Sequence, residues 1–432
     1  MAEGGIKTMS LSPELAELYT AILRAELVPA MGCTEPIAIA YAAAKAREVL
    51  DCAPVRAELV VSNNIIKNVK SVVVPNTDGL KGLEAAVAAG AAAGDASQVL
   101  QVISRVDDAG RRAIRQFLQE VPICVRPAQS DEIFDILVEL QGETDRVRVR
   151  ITSCHTNIVL IEKNGQALFR GSPQVDESHP EGYERLNVRD ILEYAETAPL
   201  EPVAPILERQ IAYNTAISQE GLTGRWGAAI GKTLLDMYGN DVAIRARAAA
   251  AAGSDARMSG CEKPVIINSG SGNQGMTASL PVIAYAQELG KSHQELLRAL
   301  LLSNLLTLHL KTGIGRLSAY CGAVCAGCAA GAAIAWLNGG DYQVITHTLV
   351  NSLAIASGII CDGAKPSCAA KIACAVDAGL LGWQMYLHGH QFYGGEGIVQ
   401  KGVEETILSV GRLGREGMRD TDHEIVRIMT GQ

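Results

Sequence analysis

Apolar residues recur at helical spacing from Pro13 to Leu27, and Pro13 suits a first helical turn. A second helix is predicted from near Pro36, with Thr34 a fitting cap, after the turn 28–35. From about Ala53 to Arg170 the pattern changes to short β-branched runs. Val55–Ser62 and Val69–Val74, either side of Asn63-Asn64, read as strands, as do Ile133–Leu140 and Val147–Thr152. Ile158–Glu162, Asn164-Gly165 and Ala167–Phe169 together spell a hairpin. Alanine-rich helices are predicted near Leu80–Ala93 and Ala109–Leu118. His179–Pro205 reads as a connector, and from there to Gln432 the chain reads as helices punctuated by Gly-rich loops. The prediction is an α+β protein: N-terminal helices over 1–50, a small α/β domain over 51–200, and a mainly helical domain rich in small residues over 201–432.

Two stretches, Leu317–Gly340 and Tyr342–Cys361, contain no Asp, Glu, Lys or Arg, and each is long enough to span a bilayer. Both are dominated by Ala, Gly, Cys, Ser, Thr and Asn, with no basic cluster or aromatic belt beside them, so they read as buried helices rather than membrane spans. The 432 residues carry 38 Lys+Arg against 47 Asp+Glu, a formal charge of −9, and no basic run. That balance argues against a general nucleic-acid binder. Aromatics at 4% and 43 glycines favour close helix packing over a stacking platform. The N-terminal stretch MAEGGIKTMSLSPEL lacks a basic-then-apolar signal, so eleven cysteines point to a reducing, cytoplasmic compartment with free thiols or metal ligands.

Several segments carry candidate chemistry. In Cys361-Asp-Gly-Ala-Lys-Pro-Ser-Cys368, Gly363 permits a turn and Pro366 suits the start of a helix. By spacing alone the two thiols are either convergent metal ligands or ordinary buried cysteines. Cys321, Cys325 and Cys328 have the C-x3-C-x2-C spacing of radical S-adenosylmethionine enzymes. The run is Ala-rich and helical, however, and three such thiols would span roughly 10 Å of rise, so Cys325 and Cys328 read as helix packing. In Met31-Gly-Cys-Thr-Glu-Pro36 a thiol precedes a helix N-terminus, which predicts a lowered pKa and makes Cys33 a candidate base or nucleophile. Asn268-Ser-Gly-Ser-Gly-Asn-Gln-Gly275 offers backbone amides and short polar side chains at a helix start, suited to a carboxylate or phosphate. Ser269, Ser271 and Asn273 are its candidate substrate-binding residues. The segments Ser153–Asn157, His388-Gly-His390 and Gly414–Asp422 are weaker candidates.

The segments MGCTEP at 31–36, NSGSGNQG at 268–275, SAYCGAVC at 318–325 and CDGAKPSC at 361–368, with GREGMRDTD at 414–422, resemble the L-cysteine desulfidases, relatives of the iron–sulfur L-serine dehydratase alpha chain. The resemblance implies an oxygen-sensitive [4Fe-4S] cluster held by Cys321, Cys361 and Cys368, with Cys33 as the proton-accepting cysteine. The spacing of the loop carrying the last two ligands is closer to the desulfidases than to the serine dehydratases. It further implies β-elimination of L-cysteine to pyruvate, ammonia and sulfide without pyridoxal phosphate, and a homodimer. Lys263 and Lys365 lie in motif regions, so a Schiff-base lysine is not excluded by sequence alone. An L-serine dehydratase with the same apparatus and a non-catalytic iron–sulfur redox sensor are the competing readings.

Overall fold

The computed structural model describes residues 11–129, 132–172, 182–315 and 317–431. The stretch 1–10 and residues 179–181 of the expected connector lie outside the described residues. Helix α1 (Pro13–Glu26) begins where the Ser12 hydroxyl accepts the Leu15 amide and Pro13 occupies the first turn. After strand β1 (Pro29–Met31) comes α2 (Thr34–Leu50), capped by Cys33 rather than by Thr34. The chain continues through β2 (Arg56–Val61), α3 (Asn63–Val69), α4 (Gly82–Ala93), α5 (Asp108–Glu120), β3 (Ile123–Pro127), β4 (Asp135–Gln141) and β5 (Arg146–Thr152). The hairpin β6 (Ile158–Lys163) and β7 (Gln166–Arg170) completes a six-stranded sheet of order β3-β2-β4-β5-β6-β7. All its neighbours are antiparallel except β2 and β3. Alternate residues bury one face: Leu59, Val138 and Val149 stand in register beneath α2, which packs in turn on α4.

The C-terminal part is helical: α6 (Val188–Thr197), α7 (Ala204–Gly221), α8 (Ile230–Tyr238), α9 (Val242–Met258), then strand β8 (Pro264–Ile266) and α10 (Gly272–Glu288). There follow α11 (His293–Thr312), α12 (Gly322–Leu337), α13 (Tyr342–Ala356), α14 (Cys368–Leu387), α15 (Val403–Arg412) and α16 (Arg419–Thr430). The architecture is thus α+β, as expected. Helix α12 lies at the centre, packed by α10, α11, α13 and α14 and buried on nearly every side, which explains its uncharged sequence. Its closest neighbour is α14: a Cβ on Gly379 would stand 2.3 Å from the Gly327 carbonyl oxygen. No helix among the described residues is long and apolar enough to cross a membrane.

Two expectations are corrected, and one strand was not read. Val69–Val74 is not a strand; α3 ends at Val69 and only Val73 makes an isolated bridge, to Lys81. The expected connector contains helix α6, capped by the Asn187 side chain. Strand β3 went unread because it is a half-exposed edge strand ending in a proline.

One small element matters most for the site. Strands β1 and β8 pair antiparallel, with Pro29 opposite Ile266 and Met31 opposite Pro264. This ribbon brings the turn before α2 alongside the turn before α10.

Candidate active site

The N-termini of four helices, α2, α10, α12 and α14, converge on one cavity of about 110 Å³. Cys33 and Thr34, Ser271 and Asn273, Cys321 and Gly322, and Cys368 line it from these four starts. A helix N-terminus carries roughly +0.5 of a charge, and its first amides lack partners within the helix. Neither Cys33 nor Cys321 makes a side-chain cap hydrogen bond. The cavity is therefore polarised for anions before any charged side chain is counted.

At one end, Gly32 turns the chain with φ +61, and a Cβ there would collide with Pro75 at 2.3 Å. Cys33 follows, and its Sγ donates to Glu35 Oε2 at 3.0 Å. The Thr34 hydroxyl donates to the same oxygen at 3.1 Å, and Asn68 Nδ2 donates to Oε1 at 3.2 Å. The expected low pKa of Cys33 is not what the fold provides. Burial pushes the thiol well above its usual range, the Glu35 charge adds to this, and the positive charge of Arg257 only opposes it. Cys33 is thus a neutral thiol already hydrogen-bonded to a proton acceptor.

Facing it is the turn Asn268–Ser271, closed by reciprocal backbone hydrogen bonds of 3.1 and 3.0 Å. Both central residues have positive φ, Ser269 at 48° and Gly270 at 74°, as in a type I′ turn. For serine this is a strained conformation of the kind found at binding sites. The Thr34 hydroxyl is also 3.0 Å from the Gly270 carbonyl oxygen, which fastens the turn to α2. Arg257, in the last turn of α9, donates from Nη1 to Asn273 Oδ1 at 3.1 Å.

At the other end, an antiparallel bridge between Tyr320 and Ile360 sets Cys321 beside Cys361. The Cys321 amide donates to Ile359 O at 3.1 Å and the Cys361 amide to Ala319 O at 2.6 Å. Cys368 opens α14 and lines the same cavity. Burial, then the neighbouring Cys361, pushes the Cys321 thiol up to about 12. Burial raises Cys368 too, with Cys361 adding to it. Lys67 and Lys311 also line the cavity. Lys67 is paired with Asp422, whereas Lys311, only 4% exposed, has no carboxylate partner among the described residues. Burial lowers the Lys311 pKa, opposed by charge on Cys325, Cys361 and Cys321. No group of three or more His, Cys, Asp or Glu among the described residues is arranged to hold a single metal ion.

All seven residues expected from the sequence, Cys33, Ser269, Ser271, Asn273, Cys321, Cys361 and Cys368, line this one cavity. Cys325 and Cys328 sit buried inside α12 and are not among the lining residues. Ser153 and His155 also line the cavity, with His155 edge-on to Phe134 at 4.8 Å. The segment Gly414–Asp422 buttresses the site: Gly414 O accepts the Ser318 hydroxyl at 2.6 Å, and Asp422 holds Lys67. His388 and His390 lie on an exposed turn after α14. Lys365 pairs with Asp362 at 2.6 Å, and Cys261, though buried, is not among the lining residues. Sequence reasoning missed Glu35, Asn68, Lys67, Arg257 and Lys311. Glu35 stood inside a quoted motif, while Arg257 and Lys311 stand outside every quoted motif, near the C-terminal ends of α9 and α11.

Comparison with known proteins adds an independent line. The profile of the family described as serine dehydratase alpha chain matches residues 97–427. A UPF0597 protein of Desulfitobacterium hafniense is 59% identical over 418 residues, covering 96% of this chain and 97% of its own. UPF0597 proteins of Lachnoclostridium phytofermentans and Treponema denticola are 50% and 44% identical, over 94% and 98% of this chain and 98% and 99% of theirs.

Proposed function

The chain belongs to the serine dehydratase alpha-chain family, a family of iron–sulfur lyases, and from that premise we propose that it eliminates the β-substituent of a small L-amino acid, with L-cysteine as substrate. The observation that carries this reading is the meeting of Cys33, the Ser269–Asn273 turn and the thiols of Cys321, Cys361 and Cys368 on one cavity.

The donor set suits an iron–sulfur cluster. Three soft sulfur ligands from two chain segments surround a shared space, and no carboxylate hydrogen-bonds to them among the described residues. The raised pKa values of Cys321 and Cys368 favour their thiol forms, a preference that metal coordination overrides. Cys321, Cys361 and Cys368 would hold a [4Fe-4S] cluster, and three protein ligands leave one iron free to act as a Lewis acid toward the substrate.

The remaining work falls to the chain's own side chains. The amides at the start of α10 and the side chains of Ser269, Ser271 and Asn273 receive the substrate carboxylate. Cys33 passes its thiol proton to the Glu35 carboxylate, which Thr34 and Asn68 hold in place. The resulting thiolate removes the Cα proton. The C–H electrons become the Cα–Cβ double bond as the Cβ–S bond breaks, and the departing sulfide takes the proton held on Glu35. The aminoacrylate released hydrolyses in water to pyruvate and ammonia. From L-serine the same steps expel water, and the family's own description favours that second reading. A redox sensor would need neither the Cys33–Glu35 pair nor an anion-binding turn.

Anaerobic purification with iron and sulfide analysis, followed by pyruvate assays on L-cysteine and L-serine side by side, tests the proposal. Bound iron and faster turnover of L-cysteine are expected. Cys321→Ala, Cys361→Ala and Cys368→Ala should each lose iron, whereas Cys33→Ala should keep iron and lose turnover. An iron-loaded protein inert on both amino acids would leave the sensor reading.

A further inference from the structure

Arg257 is 3% exposed, yet no carboxylate pairs with it among the described residues. Its Nη1 bonds to the neutral Asn273 side chain, and its Nε is buried without a partner. The acid nearest in sequence, Asp255, is turned away toward α8, where Oδ2 accepts the Gly231 amide at 3.0 Å. Glu35 is occupied by Cys33, Thr34 and Asn68. The guanidinium instead lies against the first residue of α10: a Cβ on Gly272 would stand 2.5 Å from Arg257 Nε. Two positive features, a buried guanidinium and a helix N-terminus, are therefore stacked together at the cavity wall. The carbonyl end of α9 offsets part of the charge, but a buried cation without an acid partner is still unfavourable. Such an arrangement is sustained when a ligand supplies the missing anion.

We infer that Arg257 is the substrate's carboxylate anchor, so that a free α-carboxylate is the obligatory handle of any ligand of this cavity. Arg257 can donate two parallel hydrogen bonds to a carboxylate, which neither an amide nor an ester can accept with equal strength. The neighbouring Asn273 fixes the guanidinium from one side, and Gly272 leaves room for it to approach the helix start. Because the anchor sits on the same side as Cys33, whose thiol senses its charge, the carboxylate would place Cα toward Cys33 and the side chain toward the other three thiols.

The inference rests on the lyase reading for its choice of an amino acid, but its test does not require turnover. L-Alanine lacks a leaving group at Cβ and cannot be eliminated. Calorimetric binding to the full-length, anaerobically purified protein should favour L-alanine over L-alaninamide by about tenfold or more. Arg257→Gln should abolish that preference while leaving L-alaninamide binding unchanged. Arg257→Lys, which keeps the charge but not the fork, should retain only part of it and guards against a Gln variant that fails to fold. Equal binding of acid and amide by the unmodified protein, or an intact preference in a folded Arg257→Gln protein, overturns the inference. A carboxylate preference lost with Arg257 in a protein that makes no pyruvate would sink the lyase reading and leave the anchor standing.

Discussion

At one end of the cavity a cysteine at a helix start is hydrogen-bonded to a carboxylate; at the other, Cys321 and Cys368 open two further helices with Cys361 beside them, and no carboxylate hydrogen-bonds to these thiols among the described residues. The backbone device is the same. What differs is the partner, and the partner decides the chemistry. Glu35 can take a proton from Cys33, so that thiol is equipped to gain and lose protons in a cycle. Burial and the neighbouring Cys361 raise the pKa of Cys321 and Cys368, so the ionised forms of those two thiols call for a bound cation among them.

The largest test of this contrast is Glu35→Gln. The amide keeps the hydrogen-bonding shape but cannot take the proton, so turnover should fall about 10²- to 10⁴-fold with iron content unchanged. Loss of iron along with activity would show that the two ends are not separate.

A smaller effect is expected from alkali. Burial raises Cys321 and Cys328 to about 12 and Cys325 to about 11. A thiol held protonated in the fold stabilises it fully below the unfolded value near 9, and that stability is lost as pH rises toward the folded value. The iron-free protein should therefore show a falling melting temperature between pH 9 and about 12, measured by circular dichroism. Iron-loaded protein should show less of this decline, because its coordinated thiolates no longer titrate.

The smallest effect should come from Cys325→Ala and Cys328→Ala. Each removes a buried sulfur from α12 at a cost of about 1 kcal/mol, and each should leave iron content unchanged. Iron loss from either would move the cluster ligands into the helix and dissolve the distinction between the two ends.

Much of this arrangement was legible along the chain, for reasons that differ by residue. Ser12-Pro13 and Asn164-Gly165 are local instructions, and the structure follows both. The thiol and Gly-rich motifs were legible as helix starts, because proline, glycine and small polar residues mark helix N-termini in sequence. Val69–Val74 misled because β-branched composition reflects burial as much as strand geometry, and Ile65 and Val69 meet that burial from a short helix. Arg257 and Lys311 left no local pattern. What makes each notable is the acid it does not meet, and that is a property of the folded neighbourhood. The Cys33 pKa was misjudged for a related reason: the helix start was read correctly, but the depth of burial around it was not.

The β1–β8 ribbon also sets an order of events during synthesis. Cys33 emerges from the ribosome early, yet its position opposite the Ser269–Gly270 turn depends on a strand partner at residues 264–266, and the thiols that complete the cavity come later still, at 321, 361 and 368. The nascent chain can fold its sheet around α2 first, since those contacts are closer in sequence. The cavity closes last, so a cluster held by these thiols would have to be delivered to a nearly finished polypeptide, and a chain truncated before α14 would have a sheet but no complete cavity.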